Sequence, residues 1–336
     1  MNEIMIDGKR YKLPNSLNPF QQEIYLHLIE WKWQHITMEP GIDRGLQFDA
    51  ILPDSFAGKF PTLYPQIIGE FVQHLQEFPF RVHKYFNHMA SSQAANINLF
   101  FPILLHPNTH AILGVIKPDL ARIAYEHLDH GYRVEFWDEP YGNLNDKSPV
   151  SGTDTDLAIA YYNHEGKLCL WLIEHKLTEP EFTACGGYKS RGRQVQHDCS
   201  KNFAQLIVDK DSCYYHDVRR FNYWRISEAN QAFFANHHKW DRCPFQGGLN
   251  QLWRNQLLAL SIEQDERQPY QQGDFSVVTH PRNSSLDKSI AEYRDLIACN
   301  PKFSVFTSAE VIKAAARYAD TALEQWIAWY TELYQL

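Results

Sequence analysis

The spacing of apolar residues along the chain changes from a helical period to an alternating one and back again. Residues 18–37 (NPFQQEIYLHLIEWKWQHIT) space their apolar side chains one helical turn apart behind an Asn-Pro start, and predict an amphipathic helix. A Gly/Pro/Asp-rich stretch over 39–62 reads as loop, and residues 63–78 as helix again. The run SSQAANINLFFPILL, residues 91–105, predicts a buried helix stopping near Pro102. Lys117-Pro118 reads as the start of a helix reaching about His130, with Gly131 as its stop.

The period then shortens to two. Tyr132–Trp137 predicts a strand, and residues 138–153 a polar loop. Asp156–Tyr162 (DLAIAYY) and Leu168–Lys176 (LCLWLIEHK) predict two strands joined at Asn163–Gly166 as a hairpin. Residues 180–245 carry no clean period and read as an insertion rich in Cys, His and aromatics. Asn250–Glu263 has a clear helical stripe, Phe275–Thr279 and Phe303–Phe306 read as short strands, and 308–336 as terminal helix.

The order helix, three strands, helix, strand predicts an α/β protein with a mixed sheet flanked by helices. Three regions follow: a mostly helical N-terminal region over 1–89, a core over 90–282 with the insertion at about 180–245, and a C-terminal strand/helix extension over 283–336 packed on the core.

Composition changes this picture little. At 336 residues, with 44% hydrophobic and 21% charged residues, the chain can bury a sizeable core without staples. The formal net charge of -8 argues against a basic coat protein for nucleic acid. Basic clusters at Lys189, Arg191 and Arg193, and at Arg219, Arg220 and Arg225, read most simply as solvated faces. The chain shows no secretory leader pattern after Met1 and no apolar run long enough to span a bilayer, so a cytoplasmic location with reduced thiols is expected.

Candidate chemistry centres on one tripeptide. The pattern acid-x-Lys occurs four times, at Asp7-Gly-Lys9, Glu30-Trp-Lys32, Glu165-Gly-Lys167 and Glu174-His-Lys176. Only the last ends a strongly apolar strand. Alternation puts Leu168, Leu170, Leu172, Glu174 and Lys176 on one face, so the acid and the amine project together where the strand leaves the core. Asp156 opens the neighbouring strand of the hairpin, about 4.8 Å away across the ladder, with Asp154 on the same face behind it. Two converging carboxylates suit Mg²⁺, a hard cation usually held by one or two of them with water and phosphate completing the shell. Such an ion activates water and stabilises charge on a phosphate. Lys176 beside it can orient or deprotonate that water and offset phosphate charge. His175 points to the opposite face. The plain alternative is a surface ion pair at a strand end.

These stretches resemble a known family. Asp156–Tyr162, the hairpin and Leu172-Ile-Glu174-His-Lys176 resemble the PD-(D/E)XK nuclease superfamily, the restriction-endonuclease-like fold, and within it bacterial restriction endonucleases. Further stretches carrying the resemblance are SSQAANINLF (91–100), GTDTDLAIAYYN (152–163), LIEHKLTEPEF (172–182) and GGLNQLWRNQLLAL (247–260). The resemblance implies an α-β-β-β-α-β core and metal-dependent hydrolysis of phosphodiester bonds with Mg²⁺ or Mn²⁺. Asp156 and Glu174 would be the metal ligands and catalytic acids, and Lys176 the catalytic lysine. Nucleic acid, above all DNA, would be the partner, with restriction or defence as the setting and a homodimer where both strands are cut. Thr155 stands where the motif has Pro, a position without chemistry. Glu126 is a candidate for an added acid, and Gln251, Arg254 and Asn255 read as either phosphate contacts or a solvated face.

Cys185, Cys199, Cys213 and Cys243 all fall in the insertion. Four thiols are the right number for a structural Zn²⁺ or an iron–sulfur cluster, yet they lack close CxxC pairs, and the plainer reading is unligated thiols. Two other functions compete with an active nuclease. One is a catalytically inactive nuclease-fold module that only binds nucleic acid. The other is a metal-independent hydrolase built on histidine, for which no HExxH, GxSxG or Gly-rich phosphate loop is present.

Overall fold

The hairpin at the centre of the sequence becomes the centre of the fold. The computed structural model describes residues 2–147, 152–190 and 197–336. In chain order the elements are β1 (Asn2–Ile6), β2 (Lys9–Leu13), α1 (Pro19–His35), β3 (Gly41–Asp43), β4 (Leu46–Phe48), α2 (Ile68–Glu77), α3 (Ser92–Leu104), α4 (Thr109–Ile116), β5 (Leu120–Ile123) and β6 (Tyr132–Phe136). They continue with β7 (Thr155–Asn163), β8 (Leu168–Lys176), α5 (Phe203–Val208), α6 (Tyr214–Asp217), α7 (Tyr223–Ala229), α8 (Leu249–Glu263), β9 (Gln272–Thr279), α9 (Asp287–Leu296), β10 (Phe303–Thr307), α10 (Ser308–Ala316) and α11 (Thr321–Tyr334).

A mixed six-stranded sheet runs β10-β9-β8-β7, with β5 and β6 sharing the far edge of β7. β6, β7 and β8 pair antiparallel, whereas β9 and β10 continue parallel to β8. Every residue of β8 is buried, as a central strand covered on both faces requires. Alternation sorts its side chains into two cores. Ile173 and Trp171 join α3, α4, α10 and α11 on one face, while Leu168, Leu170 and Leu172 join α8, α9 and the insertion on the other. α8 lies so close to β9 that a Cβ at Gly273 would stand 2.3 Å from the Ala259 carbonyl oxygen. This mixed sheet with helices on both faces fits a restriction-endonuclease-like fold.

Three sequence expectations need correction. α3 does not stop near Pro102 but runs through it to Leu104. Proline removes the N–H that would bond the carbonyl four residues back, at Asn98. The Trp326 indole of α11 donates to that oxygen instead, at 2.7 Å, so the helix continues at little cost. Second, Lys117-Pro118 ends a helix rather than starting one. α4 covers 109–116, and Lys117, before proline, sits outside the helical region at φ -119°, ψ 85°. The chain then extends into β5 along β7, and Gly131 serves the turn into β6, where a Cβ would meet Ile123 Cγ2 at 2.4 Å. Third, the 1–89 segment, expected mostly helical, holds two helices and two short hairpins, β1–β2 and β3–β4. β3–β4 lies in the stretch read as loop. The C-terminal segment also enters the sheet itself, as β10.

Among the described residues no helix is long and apolar enough to cross a membrane.

Candidate active site

The three sequence candidates meet at one end of β7 and β8. The register pairs Leu157 with Ile173, which sets Asp156 beside Glu174. It also pairs Val134 with Leu157 and Phe136 with Thr155, which sets Glu135 of β6 beside Asp156. Three acids thus occupy one row across three adjacent strands. Glu135 holds a left-handed backbone, φ +53°, and strand alternation slips there: Val134 packs in one core and Phe136 in the other.

Glu174 is 6% exposed and fully engaged. Its Oε1 accepts from Gln251 Nε2 at 2.7 Å and from Lys176 Nζ at 2.9 Å, and its Oε2 accepts from Asn255 Nδ2 at 3.0 Å. Lys176 is 8% exposed. Burial disfavours its charge, but the carboxylates of Glu174, Glu179 and Asp156 outweigh burial and raise its pKa above the ordinary value, so the amine is an ammonium. Asp156 Oδ2 accepts from the His175 amide at 2.6 Å. Burial, then the charges of Glu174 and Glu135, push Asp156 well above the usual carboxylate range. Burial, with Asp154 next, raises Glu135 to about 8, and burial, with Glu174 next, raises Asp154 to about 6.

That excess of mutually repelling acids in a half-buried place is what a divalent cation relieves. Asp156 and Glu174 are the pair that could hold one. Among the described residues no group of three or more His, Cys, Asp or Glu side chains is arranged to hold a metal ion. A pair is sufficient for Mg²⁺, which keeps much of its water shell.

A cleft of about 850 Å³ opens onto Asp154, Asp156 and Glu135. Its floor is the start of α3, Ser91–Gln93, and one wall is the 81–88 segment of the N-terminal region. Gln93 clamps that wall: its Nε2 donates to the Arg81 carbonyl at 3.0 Å and its Oε1 accepts from the His83 amide at 2.8 Å. The same wall is tied to the β3–β4 side by Leu52 N–H to Asn87 O at 2.9 Å and Met89 N–H to Ala50 O at 2.8 Å.

With this geometry in view, comparison with known families is decisive. A family model described as "Restriction Endonuclease associating with ARP" matches residues 26–335. The chain belongs to this family. Comparison with curated proteins and with solved structures yields no match. The family match takes in the N-terminal wall of the cleft from residue 26 as well as the sheet and the terminal helices.

In this restriction-endonuclease family member the remaining sequence candidates divide clearly. Gln251 and Asn255 turn inward and hold Glu174, rather than forming a solvated face. Arg254 binds the Gly152 carbonyl and donates to Thr153 Oγ1 at 3.0 Å, buttressing the approach to Asp154. Glu126 lies in the turn after β5, where it accepts from Tyr162 at the other end of β7, away from Asp156. His175 is buried on the α3 face with Nδ1 3.4 Å from the Ser92 carbonyl, and burial lowers its pKa to about 4. Of the basic clusters, Arg191 and Arg193 lie outside the described residues; Arg220 is exposed and 3.8 Å from Asp211.

The four insertion thiols share one neighbourhood. The Cys185 thiol contacts that of Cys199, Cys199 contacts Cys243, and Cys213 lies within electrostatic reach of both Cys185 and Cys199. The Cys243 amide donates to the Cys199 carbonyl at 3.3 Å. All are free thiols, and none belongs to a metal-holding group among the described residues. Cys169 is core, and Cys299 is exposed.

Sequence reasoning missed Glu135, the clamp on Glu174 and the N-terminal wall. Only Glu135 left a usable signal, an acid inside an alternating strand at the height of Asp156. The other two depend on packing between distant segments.

Proposed function

We propose that this protein is a metal-dependent nuclease that hydrolyses phosphodiester bonds, with DNA as the main substrate. The observation that carries the reading is the row Glu135–Asp156–Glu174 with Lys176 bonded to Glu174, beside a cleft of about 850 Å³ that Glu135 and Asp156 line. Asp156 and Glu174 would hold Mg²⁺ or Mn²⁺, which when bound supplies an activated water and stabilises charge on the phosphate. Gln251 and Asn255 keep both Glu174 oxygens oriented, so that little rearrangement is needed on binding. Lys176, as an ammonium rather than a base, donates hydrogen bonds to a phosphate oxygen or to the attacking water and offsets developing negative charge.

The test is cleavage of supercoiled plasmid and of labelled single strands by wild type, Lys176→Ala and Asp156→Asn, each in Mg²⁺, Mn²⁺ or EDTA. Wild type is expected to cut only with metal, and each variant to lose about 100-fold or more. Cutting by Asp156→Asn in EDTA would refute the metal site and favour histidine chemistry. A protein that binds nucleic acid but cuts none of these substrates would be an inactive nuclease-fold module.

A further inference from the structure

The cleft reaching Asp156 has a charge pattern and a size that narrow its substrate. Its charged lining, among the described residues, is Arg81 against five acids: Asp43, Glu135, Asp154, Asp156 and Glu179. Faces that grip duplex DNA bury roughly 1,000–2,500 Å²; single strands, like duplexes, are otherwise held in basic grooves. A cleft of about 850 Å³ compares instead with a pocket for a single drug-sized molecule, or one to a few nucleotide units. The reacting groups are also recessed. Asp156 lies at the cleft and Glu174 one strand further in, so a phosphate must enter the cleft to reach them.

What the cleft lacks in positive charge it has in rings. Tyr25, His83, Tyr85, His88 and Trp137 all line it. His83 and Tyr85 sit tilted with ring centroids 5.2 Å apart, and Tyr25 meets His88 edge-on at 5.4 Å. Burial lowers His88 to about 4, so it presents a neutral ring near pH 7. Lys84 places its amine over one face of the Tyr85 ring, 4.2 Å from the centroid, which leaves the other face to a base. Ring stacking holds unpaired bases with little sequence preference. The Gln93 clamp fixes the wall in advance, so ordering it costs little on binding. Bases inside a duplex are already stacked and cannot use such rings.

We propose that the cleft takes single-stranded nucleic acid, a free end, a flap or an unpaired stretch, with bases stacked on the wall around Tyr85 and the backbone led down to Asp156. The assignment rests on the nuclease reading for its chemistry but not for its binding. DNA and RNA share the stacking chemistry, and strands of each sugar distinguish them.

The test pairs binding with cutting. Fluorescence anisotropy with Ca²⁺ in place of Mg²⁺ compares a labelled strand of about twenty nucleotides, as DNA and as RNA, with its blunt duplex. Wild type, Tyr85→Ala and Tyr85→Trp are used at full length, with melting curves confirming that each is folded. The expected result is single-strand binding at least about tenfold tighter than duplex binding. Tyr85→Ala should weaken it about tenfold or more, Tyr85→Trp should restore it, and neither should alter the weak duplex binding. Cleavage in Mn²⁺ should then follow the same ranking, with flaps and single strands cut before blunt duplex. Duplex binding as tight as single-strand binding, or wild-type affinity in Tyr85→Ala, overturns the assignment. Metal-dependent cutting confined to duplex overturns it too while leaving the nuclease reading intact. Tyr85-dependent single-strand binding without cutting of any substrate removes the nuclease reading and keeps the cleft's occupant.

Discussion

Glu174 is a carboxylate held in one orientation by its neighbours. Three donors fill its two oxygens, one from the strand it sits on and two from α8. Asn255 and Gln251 are positioning residues on this reading, since they touch Glu174 rather than a substrate. Removing such an orienting partner costs about 10–100-fold in metal affinity or activity. Asn255→Ala should therefore lower kcat by about tenfold or more and raise the Mg²⁺ needed for half-activity, with KM nearly unchanged. Steady-state kinetics across a Mg²⁺ titration checks this. A purely structural role would instead lower the melting temperature and leave the metal dependence unmoved.

At the scale of elements, β8 is central, because one strand supplies both cores and the candidate site. Its inner row ends in Glu174 and Lys176, while its outer row packs under α3. The opposite end of the sheet carries a second polar cluster that is structural. Lys117 Nζ bonds Asp274 at 2.7 Å and Asp119 at 3.0 Å, and Tyr161 and Gln272 also donate to Asp274 at 3.2 and 2.7 Å. The Asp274 side chain is 4% exposed. Lys117→Met would leave that carboxylate buried without its cation, a change that costs about 3 kcal/mol. Urea unfolding should show this loss, and Lys117→Met with Asp274→Asn should recover part of it. Nuclease activity, at the far end of the strands, should persist in the folded fraction of both variants.

The whole molecule places a wall from the N-terminal region over acids from the sheet, and that closure has a pH signature. Burial and Asp154 hold Glu135 at about 8 against an ordinary 4.5. Between those values the folded chain keeps a proton that the unfolded chain has released. The stability this supplies is complete below about 4.5 and is lost as pH rises through about 8. Metal-free wild type should therefore melt lower at alkaline pH than at mildly acid pH, and Glu135→Gln should flatten part of that slope. Mg²⁺ at alkaline pH should raise the melting temperature of wild type and leave Asp156→Asn unmoved. Differential scanning fluorimetry across pH, with and without metal, measures both effects.

Local pattern was enough for β7, β8 and α8, because a buried hairpin and an amphipathic helix each write their period into neighbouring residues. It was enough to put Glu174 and Lys176 side by side, since alternation places residues two apart on one face of a strand, while Asp156 joins them through the hairpin register. It failed at Pro102, where a tryptophan more than two hundred residues away supplies the missing donor. At Lys117-Pro118 the same dipeptide can open a helix or follow one, and only the pairing of β5 with β7 decides. Glu135 acquires its neighbours through register, and Gln251 and Asn255 through the packing of α8 on the sheet. The cleft wall is set by Gln93 reaching back to Arg81 and His83. The sequence by itself determined which strands bear Asp156, Glu174 and Lys176, because strand period and hairpin are written into neighbouring residues. Tertiary structure alone decided what surrounds them and how large an opening leads to them, because those facts depend on contacts between segments far apart in the chain.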